Sequence, residues 1–591
     1  MSKSSQSKSK PKSKPKGKLK DDSREQMLEF SKVWNDARSY PAKYDLEREF
    51  KSKIRSIQKR AQRYRRYRQE HPESMLPELI WRKSVTGGMI AVPQAVIRQL
   101  DPFRINTKLF KNTKGVVVTA AQFGAPLNEW FWKSLNRYAE YNDYPLVVMP
   151  IKYGPVKTKH QEGVRRLTSM FPEELKEHVI FEDVQFHHGA LNFNTARMRP
   201  TLTRFLTDQV CDMGGQTSQV FAAPKLELEH RPRIGHSLPK AIMTTGAVTY
   251  PNYAVDNLGQ QDRTGEVAVA EHTFSAVVIE FTKRGFHFRQ LLANKRGEFY
   301  DIDHKSGGAL LFTPKGAEHR PDDIEAVVLG DWHTGKTCPK VRKATFGKGG
   351  LIQTLKPKHV VIHDFVDCDS VSHWEQKQSA RRAFKAPLRW DSLEEELNAA
   401  VKELKWMHAR TEAMLHIIAS NHNEYVTEYI ETMCWVKDNA NLDIGARLYT
   451  VMVEDLKRRL PQKVEAKPID PVVWWFRKHA PFAKSYERQD ALVLPEGMGK
   501  KGILCSLHGD KGIRGGRTRS TNEFRKINQR TTLGHNHSAI ILGPVWRVGT
   551  STPRMQFYVE VPETNWTNTH QIIFKNGQRQ LISIVDGEWH G

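Results

Sequence analysis

The feature that most constrains this chain's fold is a series of five short polar motifs, most of which directly follow an apolar run of strand length. The motifs are Asp331-Trp332-His333, His363-Asp364, Asn421-His422, His508-Gly509-Asp510 and His535-Asn536-His537. A strand that ends at a sheet edge can direct the residues after it into one shared crevice. The series therefore predicts a layered α/β fold with a polar site at the ends of several strands.

The residue types in these motifs indicate a metal site. In extended chain, residues i and i+2 point to the same face, so Asp331 with His333 can direct two ligands toward one site or two adjacent sites. The same holds for His535 with His537. Imidazole and carboxylate together suit manganese, iron or zinc, and one carboxylate can bridge two ions.

The five motifs, in this order, resemble those of the calcineurin-like metallophosphoesterase superfamily from about Asp323 to the C-terminus. The resemblance implies two divalent ions, with Mn²⁺ expected first and Mg²⁺, Fe²⁺ or Zn²⁺ as alternatives. It implies one ion on Asp331, His333, Asp364 and His537, and a second on Asp364, Asn421, His508 and His535, with Asp364 as the bridge. His422 is expected beside the phosphate, where it assists the leaving oxygen, so the catalytic residues are His422 and Asp364.

Two positions depart from the superfamily pattern. His363 stands where a glycine is usual before the aspartate, and Ser420 stands where a glycine is usual before Asn-His. Neither change removes a ligand, but both alter the loops that carry ligands. Asp367 is interpreted either as a residue that orients a ligand or as a surface residue, and His363, His373 and His416 as structural.

The rest of the chain is divided by composition and periodicity. Residues 1–21, rich in Lys, Ser and Pro, are expected to be disordered, as a solubilising tail or as a tether to DNA phosphates that weakens with salt. Residues 22–112 are predicted to form a basic helical region, residues 113–320 a second α/β domain of open role, and residues 321–591 a layered metallophosphoesterase β-sandwich flanked by helices.

Local patterns within these segments predict particular elements. Residues 115–152 predict a strand, a helix from about Asn128 to Tyr141, and a second strand at Leu146 to Met149. Residues 275–302 predict an antiparallel meander, and Ser392 with Glu395 predicts the start of a helix. The adjacent pair His187-His188 is interpreted as structural, because neighbours on a strand point to opposite faces.

Charge indicates the partner. The 591-residue chain has a formal charge of +26 and a pI near 9.7, which favours a polyanion, and DNA is the predicted partner. The basic, glycine-rich segment from Lys500 to Arg530 follows His508 and is placed to hold a phosphodiester backbone. No apolar run approaches the ~20 residues of a membrane span. The five scattered cysteines fit a reducing cytoplasm, that of the host cell if the protein is phage-encoded.

The predicted function is a metal-dependent nuclease that hydrolyses DNA, similar in chemistry to the SbcD-like repair nucleases. The overall layout also resembles early proteins of tailed bacteriophages that destroy host DNA. A homo-oligomer is expected, since an assembly would help to grip a long polymer. The alternatives are a phosphatase or cyclic-nucleotide phosphodiesterase of the same superfamily, and a nucleic-acid-binding regulator with a vestigial metal site.

An ATPase is a further alternative, because Gly330 to Thr337 fits the phosphate-binding pattern GxxxxGK[ST] after a strand. Pro339 and the glycines at 347, 349 and 350 make a long helix after this loop unfavourable. The ATPase interpretation also leaves the motifs from Asn421 onward unexplained, so the metal site is favoured.

Overall fold

In a computed structural model, the described residues are 79–83, 89–93, 101–151, 171–196, 198–234, 238–253, 263–373, 378–459, 467–556, 559 and 561–590. They belong to two compact units, Met1–Asp101 and Pro102–Gly591. The predicted tail at 1–21 and the basic stretch within 22–70 lie outside the described residues. None of the described helices is both long and apolar enough to cross a membrane.

The first unit shows that the prediction of a helical region over residues 22–112 is wrong in part. Strands β1 (Leu79–Lys83) and β2 (Met89–Pro93) pair antiparallel inside the segment 22–112, which was predicted to be helical. The two strand sequences, LIWRK and MIAVP, are rich in β-branched and aromatic residues, which favour extended chain. The predicted helical region therefore does not include Leu79–Lys83 or Met89–Pro93.

The described part of the second unit contains four sheets. Its strands are β3 Gly115–Gln122, β4 Leu146–Ile151, β5 Val184–Phe186, β6 Leu191–Asn194, β7 Ser218–Phe221, β8 Glu227–Arg231, β9 Lys240–Thr244, β10 Ser275–Thr282, β11 Gly285–Leu292, β12 Phe299–Ile302, β13 Ala309–Thr313, β14 Gly316–Arg320, β15 Ile324–Val328, β16 His359–Ile362, β17 Met414–Ile418, β18 Lys484–Tyr486, β19 Val493–Leu494, β20 Ile503–Leu504, β21 Arg530–Leu533, β22 Ile540–Leu542, β23 Val545–Arg547, β24 Thr569–Phe574 and β25 Arg579–Ser583.

The α-helices in the described part of this unit vary from one turn to five turns. They are α1 Glu129–Asn142, α2 Asp208–Asp212, α3 Arg263–Glu271, α4 Pro339–Phe346, α5 Leu351–Leu355, α6 Ser379–Lys385, α7 Leu393–His408, α8 Asn421–Glu431, α9 Leu442–Arg459, α10 Pro471–His479 and α11 Thr521–Phe524. Ser392 caps α7 by accepting a hydrogen bond from the Glu395 amide, which confirms the predicted helix start.

The predicted strand–helix–strand unit at 115–152 is confirmed. Strands β3 and β4 pair parallel, and α1 connects them with Asn128 as its N-cap. The predicted meander is confirmed for its first two strands, β10 and β11, which pair antiparallel. Its third strand, β12, belongs instead to a separate three-stranded sheet with β13 and β14.

Strands from both sides of the predicted domain boundary near residue 320 share one sheet. The order of this ten-stranded sheet is β19-β20-β21-β23-β22-β8-β9-β7-β6-β5, and β22 joins the two parts by pairing Ile541 with Leu228. Residues 113–320 and 321–591 therefore belong to one compact unit rather than two. Apolar side chains between the ten-stranded sheet and the sheet of β3, β4, β10 and β11 form a common core.

The remaining sheet has six strands in the order β18-β17-β16-β15-β24-β25, with β15, β16, β17 and β18 parallel. One face packs on helices, including α7, α8 and α10. The other face shares an apolar cluster with strands β19 and β20 of the ten-stranded sheet. Strand β15 is buried throughout, as is typical of parallel strands covered on both faces. The α/β class is confirmed, and the specific metallophosphoesterase layout stays a prediction.

Candidate metal centre

The strand order brings the polar motifs together. Strands β15, β16 and β17 are parallel neighbours, so Asp331, Asp364 and Asn421, which follow them, lie at one edge of the six-stranded sheet. Strands β20 and β21 are parallel neighbours in the ten-stranded sheet, and His508 and His535 follow them. Two sheets thus contribute their carboxyl ends to one crevice, as the sequence predicts.

Four of the predicted ligands form a cluster that we call the inner half-site, consisting of Asp331, His333, Asp364 and His537. One ligand atom from each residue lies within 4.8 Å of the others, and all four residues are buried. The Nε2 atoms of His333 and His537 are 3.1 Å apart, and His537 Nε2 is 3.4 Å from Asp331 Oδ2. His333 Nε2 is 3.7 Å from Asp364 Oδ2.

The other predicted ligands form the outer half-site, consisting of Asp364, Asn421, His508 and His535. The Asn421 side-chain oxygen is 3.1 Å from His508 Nε2 and 3.1 Å from His535 Nδ1. His508 Nε2 is also 3.1 Å from Asp364 Oδ2. Asp364 is therefore common to both half-sites, which is the position that a bridging carboxylate occupies.

The backbone reaches this geometry in a way that the sequence interpretation missed. The i, i+2 pairs were expected on extended chain, but His333, His535 and His537 have φ values of 51°, 76° and 58°. Asp364 is also left-handed, with φ of 45°. Such a conformation costs a non-glycine residue about 1–2 kcal/mol, and it persists at functional sites where the surroundings enforce it. Here the Trp332 and His333 amides donate to the carbonyls of His363 and Asp364, which holds two ligand loops side by side.

Asp367 orients two histidines of the site and is buried, so it is not a surface residue. Its carboxylate oxygen Oδ1 lies 2.7 Å from His333 Nδ1, and its backbone carbonyl lies 2.7 Å from His422 Nδ1. Burial lowers the pKa of His333, but the charge of Asp367 and its hydrogen bond to the ring have a larger opposite effect. The pKa of His333 is therefore raised to about 9. Because its Nδ1 is engaged, the His333 ring presents Nε2 to the inner half-site.

His422, the predicted catalytic histidine, lies at the second residue of α8 with its Nε2 3.7 Å from Asp364 Oδ2. Ser420 begins this helix: its hydroxyl accepts from the His422 amide, while the Asn423 side chain accepts from the Ser420 amide. Ser420 is thus a capping residue, which accounts for its presence where the superfamily has glycine.

Arg547 is a supporting residue that the sequence analysis missed. It is buried, and it donates to the Gly534 carbonyl at 2.7 Å and to the Thr521 hydroxyl at 2.8 Å. Gly534 precedes the predicted ligand His535, whose amide donates to Asp331 Oδ2 at 2.7 Å. Burial lowers the pKa of Arg547 only to about 10, so it is cationic at neutral pH. No motif contains it, and only the fold places it behind the histidine loops.

Gly534 itself leaves no room for a side chain. A Cβ at this position would overlap Asp331 Oδ1 and lie 3.0 Å from the His363 Cβ. His363 is fully buried, and neither of its ring nitrogens has a hydrogen-bond partner among the described residues. Burial lowers its pKa to about 3, so the ring is neutral. It packs against the site as an uncharged group, consistent with the structural role predicted for it.

The electrostatics of the centre suit a divalent cation. Loss of water on burial raises the pKa of Asp331 to about 6; His508 opposes this shift, and repulsion from Asp364 adds to it. Asp331 Oδ1 and Asp364 Oδ1 are buried without a hydrogen-bond partner among the described residues. Two carboxylates and several imidazoles around one space are a donor set for Mn²⁺, Fe²⁺ or Zn²⁺. The buried His/Asp group could therefore hold a metal ion, and the identity and number of ions stay predictions.

A pocket of about 440 Å³ opens beside the outer half-site. It is lined by Asn421, Tyr425, Asp510, Arg517, Thr518, Arg519 and His535. The basic segment from Lys500 to Arg530 was predicted to lie beside the metals, and Arg517 and Arg519 of this segment line the pocket next to Asn421 and His535. Tyr425, which the motif analysis did not single out, lies one helical turn after Asn421 and so faces the same pocket.

The same geometry weighs against the ATPase alternative. The Lys336 amine contacts Asp369 and lies 3.3 Å from Asp367, so carboxylates hold it. The Thr337 hydroxyl donates to the Trp332 carbonyl. Helix α4 after this segment has only eight residues. The loop from Gly330 to Thr337 instead carries Asp331 and His333 of the inner half-site.

Comparison with known proteins gives one informative likeness. The chain is 26% identical over 493 residues to "Protein A1" of Escherichia phage T5, covering 81% of this chain and 83% of that protein. No protein-family model matches the chain, and no solved structure matches it. The likeness makes a phage origin reasonable, while membership of the metallophosphoesterase superfamily stays a prediction.

Proposed function

We propose that this protein is a metal-dependent nuclease that hydrolyses DNA phosphodiester bonds. The supporting observation is the convergence of all seven predicted ligands into two half-sites that share Asp364, directly beside a pocket with two arginines. When bound, two divalent ions would supply hydroxide near neutral pH and neutralise the charge that develops on phosphate.

The protein's own residues have distinct roles in this proposal. The buried carboxylates of Asp331 and Asp364 would carry the negative charge that holds the ions, with Asp364 between the half-sites. His422 would assist departure of the leaving oxygen. Its Nδ1 donates to the Asp367 carbonyl, so the ring is held with Nε2 toward the Asp364 carboxylate, 3.7 Å from Oδ2. In its imidazolium form, Nε2–H can donate a proton to the leaving oxygen.

DNA as the substrate is supported by the surroundings of the site. Arg517 and Arg519 line the pocket beside Asn421 and His535, so a bound phosphate would have further cationic groups next to it. Such contacts position a nucleic-acid backbone rather than a small ester. The formal charge of +26 favours the same partner.

The test is a substrate panel with the purified full chain. Mn²⁺, Mg²⁺ or Zn²⁺ is supplied with linear duplex, circular duplex and single-stranded DNA, RNA, a chromogenic phosphodiester and a chromogenic monoester. We expect DNA cleavage that depends on Mn²⁺. Turnover of the monoester with intact DNA would indicate a phosphatase instead, and DNA binding without cleavage under any metal would indicate a regulator with a vestigial site.

A matched pair of variants tests the pocket. Replacing Arg517 and Arg519 with alanine should raise KM for DNA more than KM for the chromogenic diester, because only DNA carries neighbouring phosphates. Replacing Lys500 and Lys526, which are basic residues of the same segment outside the pocket lining, should have a smaller effect. Equal effects of the two pairs would show that the pocket arginines have no special role in DNA binding.

We further propose that the protein acts on host DNA in the cytoplasm of an infected bacterium. The likeness to a phage protein over most of the chain supports a phage origin. Expression of the wild-type chain in bacteria should fragment chromosomal DNA, and expression of Asp364→Asn at the same level should not. Intact chromosomes with the wild-type chain would contradict this role.

A further inference from the structure

A short hairpin, residues 510–518, follows closely after His508 in the chain. Lys511 and Arg517 pair antiparallel, and the Thr518 amide donates to the Asp510 carbonyl at 2.8 Å. The Gly515 amide donates to the Gly512 carbonyl at 2.9 Å, which closes a β-turn. Ile513 and Arg514 are the two central residues of this turn and form the tip of the hairpin.

The tip combines an apolar side chain with a cationic one. Ile513 is 46% exposed, and Arg514 is exposed beside it. A single exposed apolar residue is ordinary on a protein surface. Here, however, it lies at the turn of a segment whose charged residues from 511 to 519 are all basic.

The base of the hairpin is fixed to the metal centre. Arg488 binds the Asp510 carboxylate through two bonds of 2.5 and 2.9 Å. Lys511 forms an ion pair with Glu424 of α8, the helix that begins with Asn421. The Asn536 side chain, between ligands His535 and His537, donates to the Arg519 carbonyl. The tip therefore has a defined position relative to the half-sites.

The pocket beside the hairpin has the dimensions of a small-molecule site, for which 300–1,000 Å³ is typical. A site of this size accepts one nucleotide strand rather than a duplex. Tyr425 lines it and offers an aromatic ring on which a base can stack. If a base of a duplex is to reach Tyr425 in this pocket, the duplex has to be opened first.

We propose that the hairpin 510–518 is a wedge that opens duplex DNA at the site, with Ile513 inserted between base pairs and Arg514 and Arg517 on the flanking phosphates. Apolar wedges of this kind unstack a base step at a cost of a few kcal/mol, which is offset by additional contacts with the distorted DNA. The inference rests on the proposed nuclease function, and it names duplex DNA as the substrate class.

Opening can be measured without cleavage. In the Asp364→Asn background, binding of a duplex that contains 2-aminopurine should raise the fluorescence of the probe as the base unstacks. Adding Ile513→Ser should remove most of this rise, and adding Ile513→Leu should retain it. Leu442→Ser is the control, because Leu442 is 45% exposed and lies on α9, outside the hairpin. An equal rise with Ile513→Ser would overturn the wedge.

Cleavage gives a second and separate test. Ile513→Ser should lower the rate on duplex DNA about 10-fold or more, the scale of one buried aliphatic side chain, and leave single-stranded DNA and the chromogenic diester unaffected. An equal loss on single and double strands would refute the wedge while leaving the nuclease in place. If the wild-type chain hydrolyses the chromogenic diester but no DNA, the nuclease proposal fails, whatever the hairpin variants do.

Discussion

The two half-sites share Asp364 but differ in their exposure and supporting contacts. The inner half-site is buried throughout, and Asp367 fixes the ring of His333 from behind. In the outer half-site Asn421 and His535 are only partly buried, and both line the pocket. The inner half-site is thus enclosed by protein. The outer half-site borders the pocket, which is the space that a substrate would enter.

Their donor sets differ as well. The inner half-site has two carboxylates, Asp331 and Asp364, while the outer one has Asp364 alone with the neutral oxygen of Asn421. A divalent cation is held more strongly where more negative charge surrounds it. We therefore expect metal to fill the inner half-site first, and the outer half-site at higher concentration or together with substrate.

The largest effect should follow removal of the group that the half-sites share. Asp364→Asn takes negative charge from both, so phosphodiester turnover should fall by at least about 10⁴-fold, as expected for a residue on which the whole centre depends. This fall in turnover is measured as the rate of hydrolysis of the chromogenic diester at saturating Mn²⁺. Asp369→Asn is the matched control, since Asp369 pairs with Lys336 and is not a predicted ligand. Similar losses in both variants would mean that Asp364 has no special role.

The next largest effect should distinguish chemistry from metal binding. His422→Ala should lower kcat by about 10²–10³-fold on DNA, while Mn²⁺ affinity stays unchanged, because His422 is expected to donate a proton and not to bind metal. The loss should be smaller for a p-nitrophenyl diester, whose leaving group needs no proton. His373→Ala is the control, as His373 also packs against Tyr425 but is not a predicted catalytic residue. Equal losses on both substrates would argue against proton donation.

Many residues of this centre could be predicted from the sequence, because each motif combines an apolar run with metal-binding residue types. Short apolar runs such as that before Asp331 specify buried strands, and the ligand types that follow specify where they end. The parallel neighbours β15, β16 and β17 then bring the ends together. The left-handed backbone at His333 and His537 was missed, because no local pattern in the sequence marks it.

The longer-range organisation was not predictable in the same way. The pairing of β22 with β8 joins residues far apart in the chain, and the residue pattern within either strand does not predict which strand it pairs with. A boundary near residue 320 was therefore drawn through what is one sheet. Arg547 was missed for a related reason: its role comes from the carbonyl that the fold brings to it, at Gly534.

The contrast between the half-sites is sharpened by Asp367, which supports only the inner one. Asp367→Asn should weaken the tighter Mn²⁺ site about 10–100-fold, the usual cost of losing a carboxylate behind a ligating histidine, and leave the weaker site unchanged. Titration followed by electron paramagnetic resonance resolves the two classes of ion. Asp369→Asn should leave both affinities unaltered. Loss confined to the weaker site would reverse the proposed filling order.

The smallest effect concerns the loop that carries Asp367. Glu396 accepts hydrogen bonds from the Asp369 and Ser370 amides, and burial together with Asp369 raises its pKa to about 7 from an ordinary 4.5. Since the folded protein holds this proton more tightly than the unfolded chain, the stabilisation from the protonated form is complete below pH 4.5. It is lost as pH rises toward 7, with a slope of at most about 1.4 kcal/mol per pH unit.

Glu396→Gln should flatten this part of the stability profile between pH 5 and 7, measured by denaturant unfolding of the metal-free chain. Glu403→Gln, on the same helix, is the control, because Glu403 pairs with Arg342 away from the loop. An unchanged slope in Glu396→Gln would show that the proton is not held there. A flattened slope with unaltered Mn²⁺ affinity would show that the stability of this loop and the geometry of the inner half-site are separable.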